Sequence, residues 1–134
     1  MVTKPAVKSF LIADQVIQEK VTNKWSAIGI FDHLLAANFP CIHPHVGIYM
    51  KLSDAEGEYL IRVEFSDSNN KKLAIFQGIK INVLSRLASP EIGIQTNNLP
   101  IPKPGRYSFD LYFNDEFVQS IPLEVMQYGA QKTR

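Results

Sequence analysis

The stretch from Pro104 to Val125 constrains the fold of this chain more than any other. A Pro-Gly corner opens it, and Tyr107, Phe109, Leu111 and Phe113 then recur at every second position, with Arg106, Ser108 and Asp110 between them. That period belongs to a strand with one buried face. After the polar residues Asn114, Asp115 and Glu116 the chain returns through Phe117, Ile121, Leu123 and Val125. A three-residue loop sets Phe113 against Phe117, Phe109 against Ile121 and Tyr107 against Leu123. A two-residue loop would put Ser120 and Pro122 against the aromatic face instead, because one residue of slip moves a strand's whole apolar set to its other face. The sequence therefore predicts a terminal hairpin with the longer loop.

Other segments carry the same signature. Phe10 to Gln18 has apolar residues on both sides, which suggests a bulge or a strand crossing between sheets. Trp25 to Phe31 is a second strand, with Gly29 inside it allowing a close approach. His45 to Leu52 points Val46, Ile48, Met50 and Leu52 inward; Glu58 to Phe65 answers with Tyr59, Ile61, Val63 and Phe65. Asp54 to Gly57 joins the two as a four-residue hairpin connection. Leu73 to Phe76, Ile79 to Leu84 and a segment beginning at Ile92 read as short strands. His33 to Pro44 lacks alternation and reads as a long loop, with Phe39 and Ile42 inward and Leu34 and Leu35 free for contact. The expectation is all-β: an immunoglobulin-like antiparallel sandwich of about seven to eight strands, with hairpins at 46–65 and 106–125. Residues 1–8 form a loose arm, 9–125 the domain and 126–134 a tail. Tyr107, just past Pro104-Gly105, sits where such sandwiches place a tyrosine whose hydroxyl bonds back to the chain.

Bulk properties exclude more than they assign. The 134 residues suit one core, and a formal charge of +1 offers no basic excess for nucleic acid. Apolar runs are too short to cross a bilayer as helices, so no membrane role is expected. Lys4 and Lys8 precede a short apolar run, but Asp14 and Gln15 interrupt it before any small-residue cleavage site, which argues against a signal peptide. A single cysteine, Cys41, makes a cytoplasmic location the simplest reading.

Cys41, His43 and His45, with His33 nearby, are the residues that could ligate a metal, since alternate positions of an extended strand point the same way. No second cluster completes four ligands, and the plain reading is a buried thiol beside polar loop histidines. Cys41, His43 and Asp32 could also be drawn as a nucleophile, base and acid, although residues this close along one strand run parallel rather than converge. Asp54 with Glu56, and Asp115 with Glu116, fall short of the six to eight oxygens that Ca²⁺ takes. No phosphate-binding glycine loop is present and no cofactor is expected. Tyr49 and Tyr112 point outward from clean strands, as a glycan or protein platform or beneath a neighbouring loop.

Ala13-Asp14-Gln15-Val16-Ile17, Ala27-Ile28-Gly29-Ile30-Phe31-Asp32, Phe39-Pro40, His43-Pro44, Pro104 to Phe109 and Ile121 to Val125 together resemble a family of small bacterial proteins known as a domain of unknown function. The resemblance spans most of the chain and implies a single immunoglobulin-like domain. It brings no catalytic residue, and Cys41 stands where the family suggests a small apolar residue. The leading functional expectation is a non-catalytic binding or assembly module with a protein partner or a second copy, through Leu34, Leu35, Tyr49 or Tyr112. The alternatives are a metal-binding protein or hydrolase using Cys41, His43 and His45, and a carbohydrate-binding module.

Overall fold

The computed structural model describes residues 4–129. It is all-β, with β1 (Ala6–Gln18), β2 (Trp25–Ile30), β3 (His33–Ala36), β4 (Cys41–Ser53), β5 (Gly57–Asp67), β6 (Lys72–Val83), β7 (Glu91–Ile101), β8 (Gly105–Phe113) and β9 (Glu116–Gln127). Sheet A runs β2-β1-β4-β7 and sheet B runs β3-β9-β8-β5-β6. Of the nine strands, the one not expected is the short edge strand β3, in the segment read as a loop. β4 with β7 in one sheet, and β5, β8 and β9 adjacent in the other, is the immunoglobulin-like arrangement. Its tyrosine corner is present: Tyr107 Oη donates to Lys103 O at 2.5 Å and accepts from Lys103 N at 3.3 Å.

The core lies between the sheets. Ile48, Met50 and Leu52 of β4 meet Tyr59, Ile61 and Phe65 of β5 and Phe109 and Leu111 of β8, all at most 1% exposed. Phe65 links the aromatics, its ring centroid 4.8 Å from Phe109 and 5.2 Å from Tyr107.

The terminal hairpin reaches its expected register by another route. Phe109 pairs with Ile121 and Tyr107 with Leu123, but the turn has two residues, with Phe113 opposite Glu116 and Tyr112 opposite Phe117. Asn114 and Asp115 both adopt positive φ, 51° and 66°, as a two-residue hairpin turn requires. A bulge before Leu111↔Gln119 then absorbs the missing residue. Turn plus bulge restores the apolar set to the core, and Phe117, expected opposite Phe113, lies outside and 58% exposed.

Three other expectations are corrected. β4 and β5 do not form a hairpin; β4 pairs with β1 and β7, and β5 with β6 and β8. Their connection crosses the sandwich, closed by Tyr59 Oη on the Glu56 backbone. Two strands that bury alternate residues look alike whether they lie side by side or face each other, and that ambiguity produced the error. The segment read as a loop at 33–44 is strand β3, parallel to β9, and then the start of β4. Alternation fails there because β4 changes face. Cys41 and His43 lie opposite the buried Ile101 and Leu99, whereas Val46, Ile48, Met50 and Leu52 carry the core beyond Pro44. Pro44 faces the switch in β7 at Asn98, which has φ 62°. The two short strands expected at 73–76 and 79–84 are one, β6 (Lys72–Val83), bulged near Gly78.

The expected arm and tail are shorter than drawn. Ala6 and Val7 already pair with Ser53 and Leu52, and β9 continues to Gln127. Residues 1–3 and 130–134 lie outside the described residues.

Candidate interaction surface

The outer face of sheet A is covered by its own hairpin. β1 pairs with β4 only as far as Ala13↔Gly47; from there to Gln18 it pairs with β2 alone, and the β1–β2 hairpin folds back over the sheet. Two glycines make room for it. A side chain at Gly93 would meet Trp25 Cζ3 at 2.2 Å, and one at Gly47 would meet Val16 Cγ2 at 2.7 Å and Val16 N at 2.9 Å. Gln95 clasps the fold-back, its Oε1 accepting from Val16 N at 2.9 Å and its Nε2 donating to Asp14 O at 3.0 Å. One side-chain amide thus supplies both hydrogen bonds that a neighbouring strand would have made.

Tyr49, expected to point outward, does so beneath this hairpin. Its ring centroid is 6.2 Å from that of Trp25, and its hydroxyl donates to Glu91. Partial burial first, and then the hydrogen bond and negative charge of Glu91, push the Tyr49 hydroxyl up to about 12. A phenol whose folded pKa exceeds its unfolded value of 10 adds stability that is complete below pH 10 and lost as pH climbs through about 12. Alkaline absorbance titration is therefore expected to show one phenol ionising near 12 in the native protein and absent from Tyr49→Phe. A variant curve that differs only by a phenol ionising near 10 would contradict the assignment.

Tyr112 lies on the outer face of sheet B in a charged lattice. The Arg62 guanidinium sits 4.2 Å from its ring centroid and Phe117 packs edge-on at 5.8 Å. Arg62 also bonds Glu64 at 2.8 Å and Asp115 at 2.5 Å, and Lys72 reaches Glu64 at 3.2 Å. Glu64 is buried, and these two cations offset its desolvation. One face of the Tyr112 ring is thus covered by a guanidinium.

The expected metal ligands are drawn to separate partners. His33 Nδ1 bonds Asp32 Oδ1 at 2.6 Å, and the Asp14 carboxylate accepts from His43 Nε2 at 3.0 Å. His43 also packs edge-on to Phe31, and His45 Nδ1 lies 3.3 Å from Asn97 Oδ1. Cys41 is partly buried, and burial pushes its thiol up, away from the reactive thiolate. No group of three or more candidate ligands assembles among the described residues. Asp32, drawn with Cys41 and His43 as an acid, bonds the neighbouring His33 instead.

One lateral edge of the sandwich is open. β2 and β3 are the outermost strands of their sheets on the side away from β6 and β7. The edge strand β6 carries Lys72 and Lys80 and a break at Gly78, and β7 carries Glu91 and Pro100, devices that discourage strand addition. β2 reads Trp-Ser-Ala-Ile-Gly-Ile, without charge or proline. Ile28 and Ile30 are 51% and 62% exposed there. On β3, alternation buries Leu34 against the core and leaves Leu35 62% exposed opposite Met126, also exposed. Of the two leucines expected to be free, only Leu35 is. Ile42, expected inward, is exposed on β4 beside Pro100, while Phe39 packs against the core as expected. Beside Ile30 an apolar recess of about 360 Å³ opens between the sheets, lined by Phe10, Phe31 and Ile121 among others. Ile28 and Ile30 were missed as contact residues because a strand read in isolation does not show whether its second edge is occupied.

Residues 8–126 match the family described as "Family of unknown function (DUF6941)". No curated protein matches the sequence. Among solved structures, the chain is similar to the Pseudomonas fluorescens alkylpurine DNA glycosylase AlkC bound to abasic DNA, at 12% identity and TM-score 0.52, over 71% of this chain and 28% of that one. It is also similar to an immunoglobulin-like protein from Pseudomonas aeruginosa, at 13% identity and TM-score 0.45, over 92% of this chain and 97% of that one. A β-glucosidase from Listeria innocua aligns at 11% identity and TM-score 0.48, over 93% of this chain and 16% of that one. At these identities the likeness concerns the fold alone. No helix among the described residues is long and apolar enough to cross a membrane.

Proposed function

Taking as premise that the chain belongs to the DUF6941 family of unknown function, we propose that it is a non-catalytic assembly module acting through protein contacts at the β2–β3 edge. The observation that carries this is the contrast between edges: three hold charge, proline or only four residues, and β2 holds two exposed isoleucines and no charge. Uncovered strand edges present unpaired backbone donors and acceptors, and soluble proteins blunt those they do not use. A partner that adds a strand here gains main-chain hydrogen bonds, while Ile28, Ile30 and Leu35 and the neighbouring recess supply apolar contact. The expected metal ligands are held by separate partners, Tyr49 lies beneath the β1–β2 hairpin and Tyr112 is covered on one face, which supports this edge as the better surface.

Photo-crosslinking tests the reading. A photoreactive residue at Ile28 or Leu35, introduced into the protein in its own cells, is expected to give discrete protein adducts, whether to a second copy or to another chain. The same probe at Lys80 on the β6 edge is expected to give none. Adducts at Lys80 alone, or at none of the three positions, would overturn the proposal.

A further inference from the structure

We infer that the β1–β2 hairpin is a hinged strap. Residues 15–28 lift from the outer face of sheet A and settle back as one unit, about a hinge at Asp14 and Gly29, while the sandwich stays folded. The motion belongs to the single chain, with or without a partner at the β2–β3 edge.

The hinge lies where both strands bend at one level. β1 and β2 pair at Ala13↔Ile30 and again at Gln15↔Ile28. Between these pairs Asp14 faces Gly29, whose φ of 73° turns the chain. A side chain at Gly29 would meet Asp14 Oδ2 at 2.7 Å, and the same carboxylate accepts from His43 Nε2 at 3.0 Å, so β4 anchors the hinge to the sandwich. On the body side Ile12 and Ala13 are buried and paired with β4. Beyond the hinge the strap is thinly held. From residue 15 to 28 only Val16 is buried and Trp25 and Ala27 are half-buried; the others are exposed. β2 pairs with no strand but β1. The seats beneath Val16 and Trp25 are the glycines 47 and 93, which carry no side chain, so both residues can leave and return without displacing another group. Elements with so few buried contacts open at less free energy than the whole domain needs to unfold. A two-stranded hairpin off its sheet is marginal in water, so lifting bares the strap's own amides. The lifted form also uncovers Tyr49, which Trp25 covers when the strap is down.

Native-state hydrogen exchange followed by NMR on the purified chain tests this, with the Val16 amide, bonded to Gln95, as the direct probe. Val16 and the strap amides that bond within the hairpin are expected to share one protection factor, about a hundredfold or more below the slowest amides of β4 and β8. Gln95→Ala is expected to lower the factor of those hairpin amides about tenfold, although none of their bonds involves Gln95. Ile61→Val thins the core on β5, where Ile61 is fully buried. It is expected to lower protection in β4 and β8 about fivefold and to leave Val16 unchanged, because the core is intact whether the strap is down or lifted. A Val16 amide as protected as the core, or one that falls in step with the core in Ile61→Val, would overturn the inference. So would hairpin amides that ignore Gln95→Ala, or protection that climbs steadily from the tip at 19–24 to Gln15, the mark of fraying from the end.

Discussion

Phe109→Ala is expected to lower the unfolding free energy by about 3–5 kcal/mol, the range for emptying a large aromatic site in a core. Phe109 is fully buried on β8, its ring 4.8 Å from Phe65, which in turn lies against Tyr107. Its removal leaves Phe65 on β5, and Ile121 opposite it on β9, beside an empty space that the β-sheet backbones hold open. The control is Phe117→Ala, an aromatic of the same hairpin that the bulge turns outward. It is expected to cost about 0.5 kcal/mol or slightly more for its edge contact with Tyr112. Chemical denaturation of the two variants reads the difference directly. Similar losses would mean that Phe117 packs in the core opposite Phe113, as a three-residue loop would have it.

The second large effect is expected from a single methyl group. Gly93→Ala would set a Cβ 2.2 Å from Trp25 Cζ3, well inside any allowed contact. The β7 backbone cannot withdraw without breaking its ladder to β4, so the indole must leave and the β1–β2 hairpin lift with it. The cost is expected to be about 1–3 kcal/mol, as for other insertions into packed sites. Trp25 is the protein's one tryptophan, so its fluorescence reports the event. Emission is expected to move to the red and quenching by iodide to rise, with the sandwich core still folded. An unchanged emission maximum would show that the hairpin does not rest on Gly93.

The hairpin at 105–127 was legible because alternation, a Pro-Gly corner and turn residues agreed on one register. Even there the sequence could not separate a three-residue loop from a two-residue turn with a bulge, since both bring the same residues inward. The tyrosine corner at Tyr107 was legible for the same reason: a strand start after a Pro-Gly turn fixes where its hydroxyl can reach. β3 was hidden because four residues are too few for periodicity to register, and the start of β4 because its inward parity changes at Pro44. The fold-back of β1–β2 left a trace that went unread: Gly47 and Gly93 stand at outward positions amid β-branched neighbours, where a side chain would normally sit. Gly29, the glycine that was noticed, serves differently, since its φ of 73° turns the backbone and a side chain there would meet Asp14. The candidate surface was half legible, through Leu35, because exposure of an edge depends on which strands pair.

The parallel union of β3 with β9 has a mechanical consequence. Suppose the chain is stretched from its two ends. Once β1 and β2 have been drawn away, tension enters β3 from its leading end at His33 and leaves β9 through its trailing end at Gln127, so the two strands are dragged past each other lengthwise. The bonds joining His33–Ala36 to Glu124–Gln127 would then share the load together instead of opening one after another, as they do when an antiparallel hairpin is unzipped. Those four residues, the shortest strand in the fold, would act as a shear latch, and they lie beside the edge at which a neighbouring molecule would pull.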